Sequence, residues 1–157
     1  MALTKLNTSS LPAGSMLKVA QTVKTDVFTT TSDSFVDITG LSVSITPSSS
    51  TNKIMIEFNI GAHDTNNAAE ICYKIIRDST AIAIADSGNG HRCTVGTTIN
   101  PDRGETASMK FLDSPSTTSA ITYKIQTRVS GGQTLDINKR GVIYGAISTI
   151  TATEIAG

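Results

Sequence analysis

His63 and Asp64 are adjacent, and His91, Cys93 and Cys72 add further side chains of the kinds that bind metal ions or move protons. A structural zinc site draws its ligands from closely spaced pairs, and none of these residues forms one. They are expected to be polar loop residues and a buried thiol, with no metal ligands and no cofactor. Serine, histidine and aspartate are all present, but there is no Gly-x-Ser-x-Gly elbow, and serine is too frequent for its presence to mark a nucleophile. Gly88-Asn89-Gly90 is followed by neither a helix signature nor a Gly-Lys-Ser/Thr sequence, so it reads as a turn rather than a phosphate cradle. Glycan cleavage requires two carboxylates at a set separation. Asp64, Glu70, Asp86, Asp102 and Glu105 lie in or beside two polar stretches, and nothing in the sequence pairs them. No catalytic residue is assigned, and the chain is expected not to be an enzyme.

The two polar stretches, 61–70 and 86–105, lack a sustained period and read as the long loops of the chain. Long loops on a rigid scaffold carry recognition more often than short ones. His63, Asp64, Asn66 and Asn67 in the first, with Asn89, His91, Arg92, Asp102 and Arg103 in the second, are therefore the candidate partner-binding residues.

The elements that must hold these loops are strands. Ile121, Tyr123, Ile125 and Val129 fall on one side of an extended segment, and Thr122, Lys124, Gln126 and Arg128 on the other. Leu41, Val43 and Ile45 alternate with Ser42 and Ser44, and Ile54, Ile56, Phe58 and Ile60 with Met55, Glu57 and Asn59. The pattern predicts strands near 16–23, 27–30, 34–38, 41–46, 53–60, 70–77, 81–85, 106–112, 120–129, 133–138 and 143–155. Turns are expected at 37–40, 46–52, 78–80, 113–119 and 130–133, where residues tolerate positive φ or accept local hydrogen bonds. Charged residues make up only 17% of the 157, and serine and threonine take their place. That balance favours many short strands joined by tight turns over helices. One all-β domain is expected over 16–157, an antiparallel β-sandwich of jelly-roll type. Residues 1–15, with Pro12 and Gly14, read as an N-terminal arm, a candidate attachment or edge segment.

Thirteen basic residues balance thirteen acidic ones, so no global field gathers nucleic acid or an anionic membrane. Lys110, Lys124, Arg128, Lys139 and Arg140 alternate with apolar residues and read as a solvated sheet face with edge protection. The first ten residues hold no apolar run of signal-peptide length, and no segment approaches a membrane span, so synthesis as a soluble cytoplasmic chain is expected. Cys72 and Cys93 do not make a disulfide framework in a chain this long, and free thiols are expected unless the fold brings them together.

The last predicted strand has small residues on both faces, as strands covered on both sides do. Two explanations have equal standing: packing against copies around a symmetry axis, or a central place in the chain's own sheet. In the first, Ile147, Thr149, Ile150, Thr151 and Ile155 form a trimer interface.

Leu11-Pro-Ala-Gly-Ser15, Phe35 to Ser48 followed by Asn52-Lys-Ile54, Phe111 to Gln126, and the closing Ser148 to Ile155 carry a resemblance. Together they resemble a family of small virion proteins and fibre-terminal modules of tailed bacteriophages, abundant in viruses of aquatic bacteria, cyanobacteria included. The resemblance implies a jelly-roll sandwich, a homotrimer and a place on the outside of a phage particle. It implies a tail-fibre or appendage role with contact to a host-surface glycan or protein, or alternatively a capsid decoration role. The arm would then dock on another virion protein.

Overall fold

The structure is a computed structural model that describes residues 11–86, 90–100 and 103–157. The described residues form thirteen strands: β1 (Met16–Lys24), β2 (Phe28–Thr30), β3 (Val36–Ile45), β4 (Lys53–Thr65), β5 (Ala69–Arg77), β6 (Thr80–Ile82), β7 (Val95–Ile99), β8 (Glu105–Asp113), β9 (Ile121–Val129), β10 (Leu135–Ile137), β11 (Lys139–Arg140), β12 (Tyr144–Gly145) and β13 (Ser148–Ile155). Among the described residues there is no helix.

Two sheets, each four positions wide, hold all but the β11–β12 ribbon. In the first, β1 and β2 share one edge, β13 and β10 the next position, then β4, then β8 at the far edge. In the second the order is β3, β9, β5, with β7 and β6 sharing the far edge. Every pairing is antiparallel, and consecutive strands mostly cross between sheets, two interlocked Greek keys. This is the jelly-roll topology that the alternation predicted.

The inward positions close one apolar core. Ile54, Ile56, Phe58 and Ile60 from β4 meet Ile71, Tyr73 and Ile75 from β5 and Ile121, Tyr123 and Ile125 from β9, all essentially inaccessible to solvent. Burying side chains of this size contributes roughly 1.5–3 kcal/mol each, so the strand alternation is where most of the fold's stability resides.

Several expectations are corrected. The segments 34–38 and 41–46 are one strand, β3, with a bulge between Asp37 and Ser42 rather than a turn. Gly40 takes a left-handed φ of 82°, and the extra residues let both Ile38 and Leu41 enter the core. The expected loop at 61–70 is mostly strand: β4 runs on to Thr65 and β5 begins at Ala69. A register shift between Ile60 and His63 breaks the alternation there and hides the strand from period-two reading. A Cβ at Gly61 would collide with the Ile147 carbonyl, so this glycine also admits the chain that leads into β13. The expected loop at 86–105 contains β7, which pairs with β5. The expected strand at 143–155 begins only at Ser148, because 139–145 folds as the β11–β12 ribbon.

The last strand is central. β13 lies between β1 and β4, and Ile150 and Ala152 are fully buried beneath it. Ile150 is therefore a core residue and not an interface one. Thr149, Thr151 and Ile155 lie half-buried on the outer face, and Ile147 is exposed ahead of the strand.

Candidate functional site

β4 runs the length of the sandwich, about 40 Å at the usual rise per residue, and separates two ends of different character. At one end, the connections 31–35, 66–68 and 130–134 converge with the end of β7 and the start of β8. Backbone pairing fixes them together. Ala69 is opposite Ile99, and Ile71 is opposite Val129. Val129 N donates to Ser32 O (2.9 Å), and Ser130 N donates to Glu70 O (2.9 Å). Asn66 locks the tip, its Oδ1 accepting from Thr134 N at 2.7 Å. Ser130 Oγ accepts from Glu70 N at 2.8 Å. An open depression of about 400 Å3 lies among Ala68, Ala69, Glu70, Thr98, Ser130 and Gly131. Its lining offers the Thr98 and Ser130 hydroxyls and the Glu70 carboxylate among the small residues Ala68, Ala69 and Gly131.

The sequence-selected residues separate into five groups. Asn66, Asn67 and Arg103 are exposed and belong to this loop end. Asp64 is half-buried and turned aside, its Oδ2 accepting from Gly141 N (3.0 Å) and its Oδ1 from Thr65 N (2.9 Å). His91 and Arg92 are exposed elsewhere, on the segment that crosses the outer face of the second sheet. Asn89 and Asp102 lie outside the described residues.

His63 is a correction. It sits on β4 with no accessible surface, its ring 5.7 Å from that of Tyr73, so it cannot touch a partner. Neither imidazole nitrogen has a protein hydrogen-bond partner, and the buried Tyr73 and Thr127 hydroxyls are likewise without one. Burial drives the His63 pKa down to about 4, against the opposing pull of the Glu105 and Asp64 charges. The imidazole is neutral at physiological pH and acts as a core ring.

Across the second sheet, Lys74 Nζ lies 3.6 Å above the Phe35 ring, and His91 meets Phe35 edge-on at 6.2 Å. Cys72, on the outer face of β5, is buried under this segment, and Cys93 is half-buried beside it; both are free thiols. Burial, then a hydrogen bond with Cys93, pushes the Cys72 thiol up to about 12.

The opposite end holds two polar clusters that sequence reasoning missed. Glu154 Oε1 accepts from Ser48 N (2.5 Å), Ser48 Oγ (2.7 Å) and Asn52 Nδ2 (2.7 Å), while Lys18 stands 3.8 Å from Oε2. Burial raises the Glu154 pKa, but the bonds from Asn52 and Ser48 outweigh it and hold the carboxyl below the ordinary glutamate value. Asp113 accepts from Arg77 (2.9 Å to each oxygen) and from Tyr123 Oη (2.7 Å). Residues 14 and 15 exchange backbone bonds with Ala156 at this same end. Only strand register could have exposed these clusters, because their members are far apart in sequence.

Among the described residues, no group of three His, Cys, Asp or Glu side chains is placed to hold a metal ion, and no helix is long and apolar enough to cross a membrane. Fold and loop end together define an all-β jelly-roll protein with one polar, loop-bearing end. No protein-family model matches the chain, and no curated protein matches it in sequence. Among solved structures it is similar to a chain described as "Structure of infectious bursal disease virus Gx strain", with 15% identity and a TM-score of 0.44. The match covers 100% of this chain and 43% of that one.

Proposed function

We propose that this chain is a non-enzymatic structural protein of a tailed-phage particle, a tail-fibre or appendage module that contacts the host surface through its loop end. The observation that carries the proposal is polarity. The segment leading into β1 is tied to Ala156 at one end of β4, and the 66–68 and 130–134 connections gather at the other with the end of β7 and the start of β8. A module held by its arm would thus present Asn66, Asn67 and Arg103 outward. The resemblance of the strand-and-turn segments to fibre-terminal modules supports the same role, with synthesis in the host cytoplasm and no cofactor.

A second proposal, capsid decoration, draws on a different surface. The outer face of the first sheet carries a row in register, Val19, Thr153, Met55 and Leu112, with Val19 60% and Leu112 47% exposed. Such a row suits side-on packing against a particle or against copies of the chain in a homotrimer built on Thr149, Thr151 and Ile155. The deciding experiment is the copy number of this chain in purified particles, by quantitative mass spectrometry against the major capsid protein, with native mass measured alongside. A few trimers per particle is the expected result. A ratio near one per capsid subunit would replace the fibre role with decoration, and absence from the particle would overturn both.

A further inference from the structure

Cys72 and Cys93 are brought together by backbone bonds on either side of Cys93. Thr94 N donates to Tyr73 O at 2.8 Å, next to Cys72, and Ala85 N donates to Cys93 O at 3.3 Å. The residue directly opposite Cys72 on β7 is Gly96. Side chains so paired share a face of the sheet, with their Cβ positions about 5 Å apart. A Cβ on Gly96 would lie 3.3 Å from Cys93 Sγ, so the thiol fills the space that a side chain opposite Cys72 would take. Two independent placements, the Thr94 bond and the glycine opposite Cys72, thus direct Cys93 onto Cys72.

We infer that Cys72 and Cys93 form a redox staple, a disulfide that closes in an oxidising medium and fastens the 90–94 segment to the outer face of the second sheet. The inference does not depend on the proposed virion role. The co-reactant is a small disulfide of the glutathione class. The Cys93 thiolate attacks one of its sulfurs, forming a mixed disulfide and releasing one thiolate. Cys72 then gives up its proton, and its sulfur attacks Cys93 Sγ, expelling the second thiolate. The protein loses two hydrogens, and one small disulfide becomes two thiols. Cys93 is the more accessible of the pair and reacts first. The raised pKa of Cys72 makes the second step slow, faster as pH rises. In a reducing compartment the staple stays open.

The test uses the full chain, purified under reductant and then exposed to oxidised glutathione. The expected product is a single covalent chain on non-reducing denaturing gels, lighter by two hydrogens, with the Cys72 and Cys93 peptides joined. Its thermal midpoint should rise by about 5–10 °C, as closing a loop of this length in the unfolded chain implies. Cys93→Ser should show neither change. A glutathione adduct that persists on Cys93 while Cys72 stays reduced would overturn the inference. So would a covalent dimer through Cys93, or thiols that react only after the protein is unfolded.

Discussion

At the end where β1 begins, buried charge is largely met by protein: Glu154 Oε1 by Ser48 and Asn52, and Asp113 by Arg77 and Tyr123, with only Glu154 Oε2 lacking a hydrogen bond and facing Lys18 at 3.8 Å. Towards the loop end, His63, Tyr73 and Thr127 carry polar atoms into the core with no protein partner. Both regions use strand positions of the same two sheets, so the contrast is one of side-chain chemistry and not of fold. A buried group left without a hydrogen bond costs free energy, whereas one that is met contributes modestly and fixes geometry. The base is built to hold its shape. The upper core trades stability for polar groups beneath the loops, which makes that end the easier one to deform.

The largest expected effect falls on the base. Glu154→Ala leaves the Asn52 amide and the Ser48 donors without their acceptor and should cost about 3 kcal/mol in urea unfolding at neutral pH. Glu154→Gln keeps an acceptor oxygen in place and should cost about half as much, by the same reasoning on charged against neutral bonds. Equal, negligible losses would remove the contrast between the ends.

His63 gives an effect of similar size that appears only on acidification. Its folded pKa is about 4 against an ordinary 6.5, so below pH 6.5 the unfolded chain takes up a proton that the folded one refuses. Stability should therefore fall as pH drops from 6.5 to about 4 and then level off as far as this group is concerned, by about 3 kcal/mol in all. The groups facing it, Glu105 from β8 and Asp64 on its own strand, oppose that shift, and Tyr73 supplies no charge at these pH values. Glu154, with its pKa lowered in the fold, acts in a separate window: its contribution is present above the ordinary glutamate value and is lost below it. His63→Phe should erase the loss between pH 6.5 and 4.5 and spare the one below. Unfolding curves at several pH values on the two proteins decide this, and a variant with an unchanged acid profile would exonerate the imidazole.

The smallest effect belongs to the loop tip. Asn66→Ala removes the bond to Thr134 N on an exposed turn and should change stability by no more than about 1 kcal/mol. On the proposed host-contact role, the same variant lowers binding of the purified protein to host cells. Unchanged binding would move the contact away from this tip.

The strands with unbroken alternation, such as 53–60 and 121–129, are legible from residue types alone, and the two-sheet architecture follows from their number. What escaped were the places where a bulge shifts the period. Gly40 sits inside β3 although its residue type signals a turn, and the shift after Ile60 gives the upper part of β4 the pattern of a loop. That pattern points His63 to the surface, whereas it lies in the core. Asn66, Asn67 and Arg103 were identified individually. That their segments meet at one end depends on β4 and β5 lying in opposite sheets while β7 returns alongside β5, which no local pattern encodes. The approach of Cys93 to Cys72 is hidden for the same reason.

The pairing of β1 with β13 has a consequence for how the chain is made. Met16 lies opposite Ile155 and Lys24 opposite Ser148, and β13 is also the strand that joins β1 to β4. On a ribosome, β1 has no strand neighbour among the described residues along its length until residue 155 has emerged, so the first sheet cannot assemble progressively from its beginning. Hairpins such as β5 with β6 can form early, but the sandwich must wait and then close late, as folds dominated by distant contacts do. During that interval the apolar faces of β4 and β5 are exposed together, and it is then, rather than in the finished sandwich, that the chain is most open to aggregation.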